Sequence, residues 1–186
     1  MSAGPATREG ASSAAEHRAA AAERTAVAIA VITVSDTRSP ETDRSGAYLR
    51  TEALERGHAV PMLEIVPDEP ELIDQMLETA LRTEARVVLL NGGTGIAARD
   101  TTVEVVRRRL DKELPGFGEL FRMLSFKEVG AAAMLSRALA GTIGSKLVVA
   151  LPGSPAAVRL AWQELLAPEL DHISWELQRQ ALDRES

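Results

Sequence analysis

Four short apolar runs constrain the fold of this chain more than any other feature of its sequence. Rich in Val, Ile, Leu and Ala, they occupy residues 27–34, 60–66, 87–90 and 147–151. Runs of this length, bounded by turn residues, predict strands of a sheet. The segments between them place apolar residues at spacings of three and four, which predicts helices. Strands that alternate with helices predict an α/β fold, with a parallel sheet and helices on both of its faces.

Several segments carry more specific predictions. Pro61, near the start of the second run, favours an edge position for that strand. Gly57 is predicted to close a helix, and Pro168 to break the C-terminal helices. The sequence also predicts a chain break at residues 114–118, short helices at 119–126 and 129–135, an additional strand at 137–143, and a solvated basic helix face at 107–109.

The length of 186 residues predicts a single domain. Residues 1–25 are rich in Ala, Ser, Glu and Arg and are predicted to form a disordered extension. Residues 26–182 form the predicted folded domain, and residues 183–186 form a short tail. The net charge of -6 argues against a nucleic-acid-binding protein. Since the chain lacks cysteine and any apolar run of roughly 18 residues, we expect a cytoplasmic protein that does not insert into a membrane.

A glycine-rich loop follows the third apolar run. Residues 91–95 read Asn-Gly-Gly-Thr-Gly, and their backbone N–H groups can face a ligand because side chains are small or absent. Asp100 or Thr101 is predicted to cap the next helix, with Glu104 completing a capping box. A strand, a glycine loop and a helix start in this order suit a phosphate group. Neither a P-loop nor a dinucleotide-binding fingerprint is present.

Four such loops are predicted at one edge of the sheet. The strand ends carry Ser35 and Asp36, Pro67 and Asp68, the glycine loop, and the Pro-Gly-Ser segment at residues 152–154. In a parallel sheet these ends meet, and ligands bind there. Carboxylates beside phosphates suit Mg²⁺, which prefers oxygen ligands. Asp36 and Asp68 could equally serve as turn residues, and the residues alone leave the reaction undetermined.

The ordered motifs resemble those of one protein family. They are TVSDTR at residues 33–38, DRSG at 43–46, PDE at 67–69, GGTG at 92–95 followed by Arg99 and Asp100, PGFGELFRMLSF at 115–126, SRALAG at 136–141 and LPGSP at 151–155. The sequence is similar to the MoaB/MogA family of molybdenum cofactor biosynthesis proteins, and is closer to its MoaB branch. The similarity covers nearly all of the predicted folded region.

This resemblance implies a three-layer α/β sandwich with a mostly parallel sheet, assembled as a trimer or as a hexamer of trimers. It implies ATP- and Mg²⁺-dependent adenylylation of molybdopterin with release of pyrophosphate, before another enzyme inserts molybdate. That enzyme is a candidate partner. Asp68 and Asp100 match the acidic residues that are important in active members, so we expect them to be catalytic and to be the candidate Mg²⁺ ligands.

The resemblance also suggests which other residues contact the substrates. The residues expected to bind the nucleotide and its phosphates are Ser35, Asp36, Gly92, Gly93, Thr94, Gly95, Gly153 and Ser154. Glu119, Arg122 and Ser125 are expected to border the pterin. Two alternatives remain open at this point. The chain could be a catalytically silent protein that carries molybdopterin or assembles the pathway's enzymes, or the same fold module could serve another chemistry.

Overall fold

The computed structural model describes residues 26–185, and it describes side chains for residues 26–179. The predicted disordered extension, residues 1–25, lies outside the described residues. The last helix continues to Glu185, so most of the predicted tail at residues 183–186 is helical. Within the described part of the chain, no helix is long and apolar enough to cross a membrane.

Six strands form one sheet in the order β2-β1-β3-β6-β5-β4. Their bounds are β1 Ala28–Val34, β2 Ala59–Val66, β3 Val87–Asn91, β4 Lys112–Glu113, β5 Leu139–Ile143 and β6 Lys146–Leu151. Strands β2, β1, β3 and β6 are parallel to one another, whereas β5 and β4 are antiparallel to their neighbours. The four predicted strands, the edge position of Pro61 and the additional strand are confirmed. β4 was not predicted, because two residues are too few to show a periodic pattern.

Helices cover both faces of this sheet, which confirms the three-layer α/β sandwich. Their bounds are α1 Arg44–Glu55, α2 Pro70–Arg82, α3 Thr102–Arg109, α4 Pro115–Val129, α5 Pro155–Ala161 and α6 Leu170–Glu185. Successive residues of β1 point to opposite faces, as in any strand. Ile29 and Val31 pack in one apolar cluster with Trp162, and Ile32 packs in the other cluster with Ile73 of α2. The core is therefore divided by the sheet into two apolar layers.

Helix α4 begins at Pro115, so the predicted chain break at residues 114–118 and the helix start at residue 119 are wrong. Proline is tolerated in the first turn of a helix, where its missing N–H group has no partner to lose. Gly118 lies inside the helix. A glycine is needed at this position because a Cβ atom would come within 2.7 Å of the carbonyl oxygen of Ala138. Gly118 thus serves close packing of α4 against the start of β5, rather than a loop.

The helix predicted at residues 129–135 and the break predicted near Pro168 are both present, but the helical turns there are not of the α type. The predicted helix at residues 129–135 is a 3₁₀-helix, Gly130–Leu135. The predicted break near Pro168 follows a π-helical turn, Trp162–Leu166, in which the N–H of Ala167 donates to the carbonyl of Trp162 at 2.8 Å. Pro168 has no N–H group to continue an α-helix, so the chain turns before α6 begins.

Candidate functional site

A cleft of about 730 Å³ opens at the carboxyl ends of β1, β3 and β6. Most of the residues predicted to bind substrate line this cleft: Ser35, Gly92, Gly93, Thr94, Gly95, Asp100, Ser125, Gly153 and Ser154. Its opposite wall comes from α4, the 3₁₀-helix and α5, and includes the apolar side chains of Phe121, Val129 and Leu160. The cleft thus combines a polar floor at the strand ends with an apolar wall.

The glycine loop on the floor of the cleft is tightly packed. Gly92 has φ +106° and Gly93 has φ +61°, conformations that side-chain-bearing residues rarely adopt. A Cβ atom at Gly92 would overlap the carbonyl oxygen of Val34, and one at Gly93 would lie 2.8 Å from Oδ2 of Asp68. The N–H of Gly92 donates to the carbonyl of Leu151 at 2.9 Å. Because that donor is occupied, the N–H groups that could face an anion are those of residues 93–95.

Asp68 lies directly behind the glycine loop, next to two other carboxylates. Its N–H donates to Oδ1 of Asp36 at 3.2 Å, and its Oδ1 accepts from the hydroxyl of Thr101 at 3.5 Å. Burial raises the pKa of Asp68, and the nearby carboxylates of Asp100 and Asp36 raise it further. Arg99 forms an ion pair with Asp36. No ion pair joins Asp68 to a basic side chain among residues 26–179, so its negative charge is poorly compensated.

Asp100 faces the glycine loop, and the capping role predicted for it is wrong. Its Oδ2 accepts from the N–H of Ala97 at 2.8 Å, and a Cβ atom at Gly95 would lie 2.7 Å from the same oxygen. The N-cap of α3 is Thr101, whose side chain makes no capping bond, and Glu104 pairs with Arg137 rather than completing a capping box. The carboxylate of Asp100 therefore stabilises the turn that begins at Ala97, and it lines the cleft.

Arg137 holds this turn in place, and sequence reasoning did not identify it. Its guanidinium donates to the carbonyl of Thr94 at 3.3 Å, to the carbonyl of Asp100 at 2.7 Å, and to both carboxylate oxygens of Glu104. The residue belongs to the SRALAG motif, which carried part of the family resemblance without revealing a role. The contacts join residues more than 30 positions apart, so no local pattern could have predicted them.

A second network lies beneath the loop. The amide of Asn91 donates to the hydroxyl of Thr33 at 2.9 Å, and this hydroxyl donates to Oδ2 of Asp43 at 2.6 Å. Oδ1 of Asp43 accepts from the N–H of Gly46 at 2.9 Å and so caps α1. All three side chains are buried. The network fixes the end of β3 to the end of β1 and to the first turn of α1.

The predicted Mg²⁺ ligands fit a shared site rather than a preformed one. Among residues 26–179, no group of three or more His, Cys, Asp or Glu side chains is arranged to hold a metal ion. Mg²⁺ commonly binds through one or two carboxylates and completes its shell with water and substrate phosphates. Burial and then the neighbouring carboxylates raise the pKa of Asp68, and Asp68 suits that arrangement because a cation would offset both effects. Asp100 borders the same loop.

Glu119 and Arg122 lie apart from this cleft. They line a separate cavity of about 310 Å³, together with Arg107 and Glu113, whereas Ser125, also on α4, lines the main cleft. The structure thus brings together one of the three residues expected at the pterin. The predicted solvated basic face is ion-paired: Arg107 binds Glu113 at 3.0 Å, and the neighbouring Arg109 pairs with Glu78 and Asp74 of α2.

Comparison with known proteins extends over this whole region. A family model described as "Probable molybdopterin binding domain" matches residues 30–172. A Bacillus cereus protein named "Molybdenum cofactor biosynthesis protein B" is 54% identical over 152 residues, covering 81% of this chain and 90% of that protein. A crystal structure of a protein with the same name has 52% identity and a TM-score of 0.81, and covers 83% of this chain and 98% of that one. A MogA structure has 29% identity and a TM-score of 0.73, with 81% and 99% covered.

Proposed function

Because this chain belongs to the family of probable molybdopterin-binding domains, we propose that it acts in molybdenum cofactor biosynthesis as a molybdopterin adenylyltransferase. In this reaction the terminal phosphate of molybdopterin attacks the α-phosphorus of ATP. A new phosphoanhydride bond forms, the bond to the β-phosphate breaks, and pyrophosphate leaves. The observation that carries the proposal is that Asp100 lines the same cleft as the glycine loop, while the carboxylate of Asp68 lies directly behind Gly93.

The glycine loop binds phosphate oxygens in this proposal. The N–H groups of Gly93, Thr94 and Gly95 lie between β3 and the turn that carries Asp100, and backbone donors of this kind stabilise charge on phosphate oxygens. Asp100 borders the reacting phosphates, and Asp68 lies behind the loop. Mg²⁺, when bound, would neutralise charge that develops towards pyrophosphate, with Asp68 and Asp100 as its protein ligands.

The remainder of the cleft suits a pterin. A volume of about 730 Å³ lies within the usual range of small-molecule sites, roughly 300–1,000 Å³. Phe121, Val129 and Leu160 offer an apolar wall, while the hydroxyls of Ser125 and Ser154 offer polar contacts. A planar heterocycle with polar edges needs both kinds of surface. We place the pterin against this wall and its phosphate towards the glycine loop.

The test is incubation of the protein with molybdopterin, ATP and Mg²⁺, followed by measurement of pyrophosphate and of adenylylated pterin. We expect equal amounts of the two products. A carboxylate variant that should keep full turnover is Asp111→Asn, since Asp111 does not line the cleft and accepts a hydrogen bond from the N–H of Gly144. Tight molybdopterin binding by folded protein without any turnover would instead support a silent carrier, and would contradict the adenylyltransferase proposal.

Self-association is part of the same proposal. An apolar patch on α4 and the 3₁₀-helix exposes large side chains outside the cleft, and its members are Leu120, Met123, Phe126 and Met134. A group of exposed apolar side chains on two adjacent helices is typical of an interaction site. We propose that a second and a third copy of the chain cover it, giving a trimer, and that the molybdate-inserting enzyme receives the product from this assembly.

Light scattering tests the assembly. Phe126 is 61% exposed, and Phe126→Glu places a charge in the patch, which we expect to convert the trimer to monomer. Leu54 on α1 is 45% exposed and lies outside the patch, so Leu54→Glu serves as the matched control and should leave the trimer intact. A wild-type protein that remains monomeric at high concentration would contradict the proposal.

A further inference from the structure

Arg137 connects two halves of the molecule that differ in strand direction. It lies just before β5, in the antiparallel part of the sheet, and its guanidinium reaches residues of the loop after the parallel strand β3. Its partners are 43, 37 and 33 positions away in sequence, at Thr94, Asp100 and Glu104. Its side chain is 30% exposed; its two carbonyl contacts are partly buried, whereas its ion pair with Glu104 is exposed.

The two carbonyl contacts give Arg137 more than an ion-pairing role. Thr94 and Asp100 lie at the two ends of the turn at residues 94–100, and Arg137 binds the carbonyl of each. Within the turn, short-range bonds join Ala97 to Asp100, and the exposed side chain of Arg99 pairs with Asp36. An arginine fork can bind several acceptors in fixed directions, whereas a lysine ammonium acts as a point charge. The guanidinium therefore clamps both ends of the turn to the first turn of α3.

We propose that Arg137 is the positioning residue that holds the Gly93–Gly95 donors and Asp100 in their reactive arrangement. The expected effect of Arg137 on catalysis rests on the proposed function, whereas its expected effect on the order of the turn does not. Without the clamp, the turn would have to be ordered when substrate binds, and ordering costs conformational entropy. The KM for ATP should then rise, and a displaced Asp100 should lower kcat.

The chain offers a closely matched control. Arg107, which lies on α3, forms a two-point ion pair with Glu113, as Arg137 does with Glu104, but the bonds of Arg107 do not involve the glycine loop. Arg107→Lys and Arg137→Lys each retain a positive charge and weaken one exposed ion pair, which contributes little by itself. The difference between the two variants therefore reports the carbonyl contacts of Arg137.

The experiment combines hydrogen–deuterium exchange with kinetics on the full chain. In Arg137→Lys, we expect exchange at residues 94–101 to quicken at least about tenfold, with kcat/KM for ATP lower by roughly 100-fold. Arg107→Lys should match wild type within about twofold in both measurements. Glu104→Gln separates the ion pair from the carbonyl contacts, and should lose less activity than Arg137→Lys.

The outcomes distinguish the two proposals. If Arg137→Lys and Arg107→Lys behave alike in an active enzyme, the positioning role is wrong and the proposed function stands. If wild-type protein releases no pyrophosphate, the proposed function fails, yet selective loss of protection at residues 94–101 would still support the clamp. Uniform loss of protection across the whole sheet in Arg137→Lys would indicate a general folding role and would overturn the inference.

Discussion

Turn glycines occur at both ends of the parallel strands, but they are constrained differently at the two ends. At the amino ends, Gly57 and Gly144 have φ +84° and +57°, and a Cβ atom at either would meet nothing within 4 Å. At the carboxyl ends, a Cβ atom at Gly92 would overlap the backbone of β1, and one at Gly93 would meet the side chains of Asp68 and Thr102. The amino-end turns need glycine only for its backbone conformation, whereas the cleft needs its conformation and its small size.

Charged groups show the same contrast. At the amino ends, the ammonium group of Lys146 donates to the carbonyls of Thr83 and Ala85. At the carboxyl ends, Asp68 is half-buried beside two further carboxylates, and burial raises its pKa. Lys146 is therefore satisfied by carbonyl acceptors, whereas Asp68 holds its charge beside like charges that a bound cation would relieve. This is the pattern expected of a binding site, where local stability gives way to function.

The largest effect expected from this comparison is on stability at Gly92. Gly92→Ala should lower the free energy of unfolding by about 2–5 kcal/mol, because backbone strain and overpacking add together. Gly144→Ala should lower it by about 1–2 kcal/mol, because only strain acts there. Asparagine tolerates a left-handed backbone, so Gly144→Asn should recover part of the loss and Gly92→Asn none. Urea denaturation measures all four variants, and equal losses at the two glycines would refute the distinction.

The second effect is on turnover. Asp68→Asn and Asp100→Asn remove carboxylates at the cleft, and each should lower kcat for pyrophosphate release on the order of 100-fold or more while the oligomer stays intact. Asp111→Asn removes a carboxylate at the amino ends, where its Oδ2 accepts from the N–H of Gly144 at 2.7 Å. That variant should keep its kcat and lose about 1 kcal/mol of stability. Normal turnover in both cleft variants would show that the assigned roles are wrong.

A smaller effect should appear at Lys146. Lys146→Met keeps the apolar stem but leaves the carbonyls of Thr83 and Ala85 without their donor, so stability should fall by about 1–2 kcal/mol. Lys112, which is exposed on the edge strand β4, provides the matched control, and Lys112→Met should change stability by less than about 0.5 kcal/mol. Thermal unfolding distinguishes them. Turnover should be unchanged in both, since neither residue lines the cleft.

The smallest effect is a gain in stability. The folded state raises the pKa of Asp68 above its ordinary value of 3.8, so it favours the protonated carboxyl, and that favourable contribution is lost as pH rises through the raised pKa. In metal-free buffer, Asp68→Asn should therefore unfold at a slightly higher temperature than wild type at pH 7. The gain should shrink as the pH falls towards 3.8. A constant difference across this range would mean that the charge of Asp68 is not the cause.

Much of the sheet and the cleft could be predicted because the signals are local. Apolar runs identified the four parallel strands, and parallel direction then required that the loop at Ser35, the glycine loop and the loop at Gly153 share one edge. The position of α4 could not be predicted in the same way. The segment from Pro115 to Gly118 has turn composition, and only the backbone of Ala138, about 20 positions later, shows why glycine is needed there.

The contacts made by the side chains around the glycine loop were harder to predict from the sequence than the position of the loop. Thr101 and Glu104 have the spacing of a capping box, and nothing nearby in sequence indicates that Arg137 competes for Glu104. Family resemblance, rather than periodicity, suggested that Asp68 and Asp100 work together. Resemblance also grouped Glu119 and Arg122 with Ser125, although the structure places the first two in a separate cavity. The grouping came from one motif on a helix whose residues face two directions.

The strand order has a consequence for synthesis of the chain. β6 lies between β3 and β5 in the sheet but is the last strand in sequence, so β3 has no partner on one side until residues 146–151 have been made. A chain interrupted before that point would expose the edge of Val87–Asn91, an apolar strand without a protecting charge. Such fragments would be prone to join edge to edge and aggregate. The glycine loop would also lack the carbonyl of Leu151, so a nascent chain cannot complete the floor of the cleft before its final strand is in place.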